Sequence, residues 1–467
     1  MLYLLSLIIY FLLFAFLTWR QFGIALALFF FALPSYLIRF DIGPLPTTLL
    51  EVMFGIIVVV WTVRYREWIM EHGTWIIRRH KILFCAIALF LLAATISVFT
   101  SSNLRGALGE WKAFYFEPIL LFLILITTLN QNSYIETSKD KKTKRLKDYS
   151  EQKSFNLSIF QSSQIHLIIL ALTLSSLITS LLAIHQHFTG WMVPDAFWTN
   201  QNTFRVTAWY GFPNAVGLFL APIVPLAIYL VSKRKSFNLS IFQSTIITTI
   251  SFLYIPASLL VIIFAKSTGA LVGLAAGLLF FLFFYNKKTR LIACLVSLVG
   301  IVSLISLPTN NQIKQELLFQ DRSGQIRLGI WNETIDFLKD NPLWGAGLAS
   351  YQEKIRPYHK PVNGENIEIF HHPHNIFLTM WANLGLLGLV SFILIIIWFF
   401  KTALSRNTYH VTRNNSTIYL SASMVVILVA GLVDSPYIKN DLAMLFWLLP
   451  ATLISFHDRN NPDGLLM

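Results

Sequence analysis

The sequence predicts an all-α integral membrane protein with about 12–13 transmembrane helices and one large extracytoplasmic loop containing short helices. Three observations carry that expectation. Of 467 residues, 55% are hydrophobic and only 13% charged, with a mean hydropathy of +0.62; ordinary soluble domains hold about 25% charged residues. The apolar residues fall in blocks of about 18–25, the length that crosses ~30 Å of hydrocarbon as helix. Lipid offers backbone N–H and C=O groups no partner beyond their own segment, so those blocks must be helical.

In chain order the spans run roughly 2–18, 22–38, 46–63, 82–99, 113–129, 165–184, 209–231, 246–264, 269–285, 291–307, 375–400, 417–434 and 441–456. The first block has no basic leader and no small-residue cleavage site, and is expected to be a retained helix. The first two spans are joined by almost nothing, which leaves the side of the N-terminus open. The chain divides into N-terminal spans (1–130), a basic loop (131–164), central spans (165–307) with a loop at 185–208, a long loop (308–374) and C-terminal spans (375–467).

The net charge of +13 could suggest a nucleic-acid partner, but its distribution argues against one. Arg64, Arg66, Arg78, Arg79 and Lys81, the 139–153 run, Lys233 to Lys235, Lys287, Lys288 and Arg290, and Lys401, Arg406 and Arg413 lie on alternate sides of the spans. All can face the cytoplasm together, the positive-inside pattern. Segments 100–111, 185–208, 308–374 and 435–440 then face outward. Cys85 and Cys294 both lie inside apolar blocks, so they supply neither a disulfide framework nor a metal signature.

The segment 308–374 is the longest stretch outside the spans, and loops of that length are usually functional. Ile326, Ile330 and Phe337 recur there at helical spacing, Asn341-Pro342 stops the pattern, and Trp344-Gly345-Ala346-Gly347 makes a turn. KSFNLSIFQS occurs at 153–162 and again at 235–244. With no flanking similarity it is a duplicated insertion, not a structural repeat. The run at 136–153 is a solvated basic loop, for which anionic membrane lipid is a partner to consider.

Four constellations could carry chemistry. His371-His372-Pro373-His374-Asn375 stands at the mouth of a span. Asn375 is placed to cap that helix, and the positive end of the helix dipole beside His374 disfavours imidazolium. A neutral imidazole suits a general base, while a polar cluster that only caps the helix fits the same residues. Metal binding is disfavoured, because the loop has no Cys partner and no helical His spacing. Arg327 and Trp331, four apart on one helix face, would let the guanidinium rest on the indole and present a fork to phosphate; a surface arginine packed on its neighbour is the alternative. Arg322 is a weaker candidate of that kind. Arg205 precedes an aromatic belt and the Pro213-Asn214 break, where aromatic anchors are expected regardless of function. Lys266, between two closely spaced spans, either snorkels to the interface or adds charge to an anionic site.

Together these residues resemble the O-antigen ligase-related family of membrane glycan transferases, which includes O-antigen ligases, O-antigen polymerases and bacterial protein O-oligosaccharyltransferases. His374-Asn375, nine residues, then Gly385-Leu386-Leu387-Gly388 is similar to that family's H-N-x9-G-x-x-G signature. Arg327-x3-Trp331 followed by Pro342-Leu343-Trp344-Gly345-Ala346-Gly347 resembles its R-x3-W…P-x-x-G-x-G approach, and Arg205 with Pro213-Asn214 its earlier outward element. One departure stands at Lys266-Ser267-Thr268, where many members carry Ser-Arg; lysine is a point charge, not a bidentate fork.

The resemblance implies a glycosyltransferase of the bacterial inner (plasma) membrane, with its active site on the outer face, acting in cell-envelope polysaccharide or lipopolysaccharide biosynthesis. It implies metal-independent, inverting transfer from an undecaprenyl-diphosphate-linked glycan donor to a glycan, lipid or protein hydroxyl acceptor, with no cofactor. His374 would be the base. Arg205, Arg327, Lys266 and Arg322 would bind the diphosphate. Trp331, Asn375, Gly385, Gly388, Pro213 and Asn214 would give structural support. A polysaccharide-repeat transporter or flippase is the rival, and it predicts ionisable residues at mid-membrane. Glu51, Glu117 and Asp434 all lie at span ends instead. A non-catalytic relative is the third reading.

Overall fold

A computed structural model describes residues 2–43, 45–139, 164–201, 203–233, 241–405 and 416–459. The all-α membrane expectation holds, and each of the thirteen predicted spans overlaps helix over at least part of its length. Among the described residues, eight helices are long and apolar enough to cross a membrane, and Leu5–Arg20, Phe22–Phe31 and Ser416–Ala430 are shorter apolar helices. The basic loop from 140 to 163 and most of both KSFNLSIFQS copies lie outside the described residues.

The predicted second span is the main departure. The helix stops at Phe31, a 3-10 turn takes Leu33–Leu37, and the strands Arg39–Ile42 and Leu45–Thr48 pair antiparallel. Pro34, inside the 3-10 turn, cannot donate to an α-helical ladder, which is why the apolar run does not continue as one helix.

Two compact units make up the chain: Met1–Ile76, Phe122–Lys266 and Leu448–Met467 form the first; Ile77–Leu121 and Ser267–Trp447 form the second. In the first unit the helix Gln164–Thr189 packs on Phe22–Phe31 and on Ile241–Phe264, and His166 Nε2 lies 2.9 Å from the Tyr229 hydroxyl. In the second, Ile376–Ala403 packs along Lys81–Phe99, and Thr268–Tyr285 along Ser416–Ala430.

That last pair is close because Gly269, Gly273 and Gly277 face the partner helix. A Cβ on Gly273 would stand 2.9 Å from the Val426 carbonyl oxygen, and one on Gly277 3.0 Å from that of Ala422. Small residues at a spacing of four let two backbones touch where lipid gives no hydrophobic drive to associate. The contact fixes the end of Ser416–Ala430, from which Gly431 to Ser435 continue.

The long loop contains short helices, as predicted: Gln312–Leu317, Arg322–Asp340 and Tyr351–Lys354. Arg322–Asp340 starts on an Asp321 cap and ends at Asn341, and it buries Ile330 and Phe337 while Ile326 stays partly exposed. The turn after it enters the span Ile376–Ala403. Gly385 in that span has φ 69° and ψ −172°, a conformation essentially restricted to glycine. The helix breaks there, and the Leu343 carbonyl accepts the Leu386 N–H at 3.2 Å while Ala346 N–H donates to the Ala382 carbonyl at 2.6 Å. Trp381 Nε1 donates to the Pro342 carbonyl at 2.8 Å. The Pro-x-x-Gly-x-Gly turn is thus sewn into the helix break.

Candidate active site

Asn375 is the N-cap of Ile376–Ala403, as the sequence suggested: its Oδ1 accepts from the N–H groups of Phe377 and Leu378, both at 3.0 Å. His374 just before it has φ 48°. That left-handed geometry costs an L-residue roughly 1–2 kcal/mol, so surrounding contacts must hold it. Trp331 Nε1 donates to the Pro373 carbonyl at 3.0 Å, and the Phe370 ring meets the His374 ring edge to face at 4.9 Å.

The remaining contacts come from five consecutive residues beyond the helix Ser416–Ala430. The Gly431 carbonyl accepts the Ile376 N–H at 2.7 Å. The Leu432 carbonyl accepts from Asn375 Nδ2 at 2.9 Å. The Val433 carbonyl accepts from Arg327 Nε at 3.0 Å. Asp434 Oδ1 lies 3.4 Å from His374 Nδ1 and 3.9 Å from His372 Nε2. Ser435 Oγ lies 2.7 Å from Thr379 Oγ1. The segment binds the histidine loop, the loop helix and the span together, and sets Arg327 and His374 on adjacent residues.

Asp434 belongs to this candidate site by its contacts, although in sequence it is only an acid at the outer end of a span. Burial raises its carboxyl, but the hydrogen bonds and charges of His372 and His374 outweigh burial and hold it well below the usual carboxylate range. His372 is shifted down, by burial first and then by the charge of His374, against the pull of Asp434. An ionised carboxylate only accepts, so its nearest imidazole nitrogen, His374 Nδ1, is assigned the proton. The 3.4 Å separation is at the long end for a hydrogen bond. This tautomer leaves His374 Nε2 with a lone pair.

The expected Arg327–Trp331 stack gives way to separate roles. Arg327 Nη1 donates to Ser323 Oγ at 2.7 Å and Nε is taken by Val433, while the Trp331 ring lies at 64° to Phe319. Trp331 is more useful to the Pro373 carbonyl than to the guanidinium, because its N–H needs a partner once partly buried. Arg327 Nη2 has no protein partner among the described residues. Arg322 pairs with Glu365 at 2.9 Å in an exposed salt bridge.

In the first unit Arg205 forms a corner of its own. Nε donates to the Ala265 carbonyl at 2.7 Å, and Nη2 donates to Asn214 Oδ1 at 2.8 Å and to the Lys266 carbonyl at 3.0 Å. Its guanidinium lies 5.2 Å from the Trp198 ring centre. Pro213 opens the helix Pro213–Leu220 at its first position, where a missing N–H costs nothing. Asn214 therefore supports the arginine directly. Lys266 takes φ 47° at the turn between two spans, with its side chain exposed.

Residues 252–393 match a family model described as O-Antigen ligase. Across 170 residues the chain is also 26% identical to an uncharacterized protein of Haemophilus influenzae, over 32% of this chain and 42% of that relative, so it spans less than half the relative's length. Arg322, Arg327, Trp331, His374, Gly385 and Gly388 fall inside the family match; Arg205 and Asp434 fall outside it.

Proposed function

From the O-antigen ligase-related character of residues 252–393, we propose that this integral membrane protein is a metal-independent, inverting glycosyltransferase. Its donor is a glycan on undecaprenyl diphosphate, and its acceptor is a hydroxyl of a glycan, lipid or protein. The active site stands on the outer face of the inner membrane. The observation that carries the reading is Asp434 at His374 Nδ1.

The chemistry follows from the tautomer. His374 Nε2 takes the proton of the acceptor hydroxyl, and Asp434 stabilises the imidazolium that forms. The acceptor oxygen bonds to the anomeric carbon from the face opposite the leaving group. The bond from that carbon to the diphosphate oxygen breaks, and its electron pair leaves with the diphosphate. Arg327, anchored through Nε and Nη1, turns Nη2 to the growing negative charge, where a fixed cation in a partly desolvated site acts strongly. The same diphosphate role for Arg205 and Lys266 rests on the motif resemblance. Arg322 has its charge answered by Glu365.

The test is transfer by the purified chain in vitro, using a defined lipid-diphosphate glycan and a panel of hydroxyl acceptors. Formation of a glycosylated acceptor with inverted anomeric configuration supports the reading. Movement of intact donor across a proteoliposome bilayer with no transfer to any acceptor would replace it with transport.

A further inference from the structure

The histidine loop holds more metal-ligating atoms than proton transfer uses. One atom each from His372, His374 and Asp434 lies within 4.8 Å of the others. A tetrahedral ion with ligands at ~2.0–2.1 Å needs them roughly 3.3 Å apart. The separations of 3.4 and 3.9 Å from Asp434 Oδ1 approach that already, and the two imidazole nitrogens lie within 4.8 Å of each other. The two imidazole planes are inclined at 49°, not stacked face to face. All three side chains are mostly buried, at 25, 22 and 11% exposure for His372, His374 and Asp434.

We propose that His372, His374 and Asp434 form a site for a first-row divalent ion, Zn²⁺ foremost, and that the ion switches the transferase off. The switching half rests on the reading of His374 as base; the binding half does not. Two imidazoles and one carboxylate suit Zn²⁺, Co²⁺ or Ni²⁺, whereas Mg²⁺ and Ca²⁺ prefer all-oxygen sets. Three protein ligands leave one position for water. An ion on His374 Nδ1 takes the place of the proton that faces Asp434, and that proton moves to Nε2. Nε2 is then a donor and has no lone pair for the acceptor hydroxyl. Lys439, whose charge acts on His372, opposes a bound cation, which suits a site that fills and empties with ion concentration.

The probe is Co²⁺ alone, titrated into the detergent-solubilised full chain without donor or acceptor. The expected result is a visible ligand-field band without thiolate charge transfer, displaced by one equivalent of Zn²⁺. In His372→Gln the Co²⁺ affinity should fall about 100-fold, with wild-type size-exclusion and near-ultraviolet circular dichroism profiles reporting an intact fold. Zn²⁺ should then suppress wild-type transfer over the range in which it displaces Co²⁺, with activity restored by chelation. A wild-type chain without the band, an undiminished band in His372→Gln, or transfer raised by Zn²⁺ would overturn the proposal. Co²⁺ bound as expected with transfer absent in every condition overturns the transferase reading and leaves the ion site standing.

Discussion

Asp434 Oδ1 stands 3.4 Å from His374 Nδ1, across a sequence separation of sixty residues. Their partnership orders the whole centre. The carboxylate fixes which imidazole nitrogen carries the proton, and the backbone on either side of Asp434 holds the loop helix and the cap of the following span. His374 keeps its left-handed backbone because Asn375 on one side and the Trp331–Pro373 bond on the other leave it little choice.

Asp434→Asn should lower kcat for transfer by about 100-fold while the donor KM moves by less than about threefold. The asparagine keeps the shape and an accepting oxygen but not the charge, so the imidazolium that forms on His374 loses its counter-charge. A KM rise with kcat unchanged would place Asp434 in donor binding instead.

Arg327→Lys should cost about 100-fold in kcat/KM. A lysine cannot hold Val433 and Ser323 while offering another donor to phosphate, since it has one nitrogen where arginine has three. Arg322→Ala should change kcat/KM by less than about threefold, because an exposed pair contributes little. Steady-state kinetics on both variants compares the two arginines directly.

Much of this was legible in sequence because the physics was local. Apolar blocks located the spans, Asn341-Pro342 ended the loop helix where it does end, and Asn375 capped the span it precedes. What sequence did not reveal depends on long-range pairing. Asp434 resembles any acid at the end of a span until the packing of Gly269, Gly273 and Gly277 brings its segment to the histidine loop. The Arg327–Trp331 stack was inferred from helical spacing alone, and tertiary partners took both side chains elsewhere. The meaning of Gly385 likewise needed the Leu343 carbonyl that fills the helix break.

Gly385→Ala should destabilise the protein by about 3 kcal/mol or more. Its Cβ would sit 2.0 Å from the Leu343 carbonyl oxygen as well as at positive φ. Gly43→Ala is the control: φ is again positive, at +60°, but no atom lies within 4 Å of the added carbon, so about 1–2 kcal/mol is expected. Thermal unfolding in detergent should rank the two in that order.

Gly273→Val should separate the helix pair Thr268–Tyr285 and Ser416–Ala430, because a Cβ already meets the Val426 carbonyl oxygen at 2.9 Å. The expected result is a lower melting temperature together with lost transfer, as the Gly431–Ser435 segment shifts. Gly300→Val, at a glycine with nothing within 4 Å, should leave both close to wild type.

In the proposed mechanism His374 and Asp434 act as one proton-accepting unit. A double-mutant cycle on the single-turnover transfer rate measures it, using His374→Ala, Asp434→Asn and the combination, each with donor binding recorded separately. His374→Ala should lower the rate by about 10²–10⁴-fold with donor still bound, and adding Asp434→Asn should cost almost nothing more. Full transfer in His374→Ala, or losses that multiply in the double variant, would contradict it.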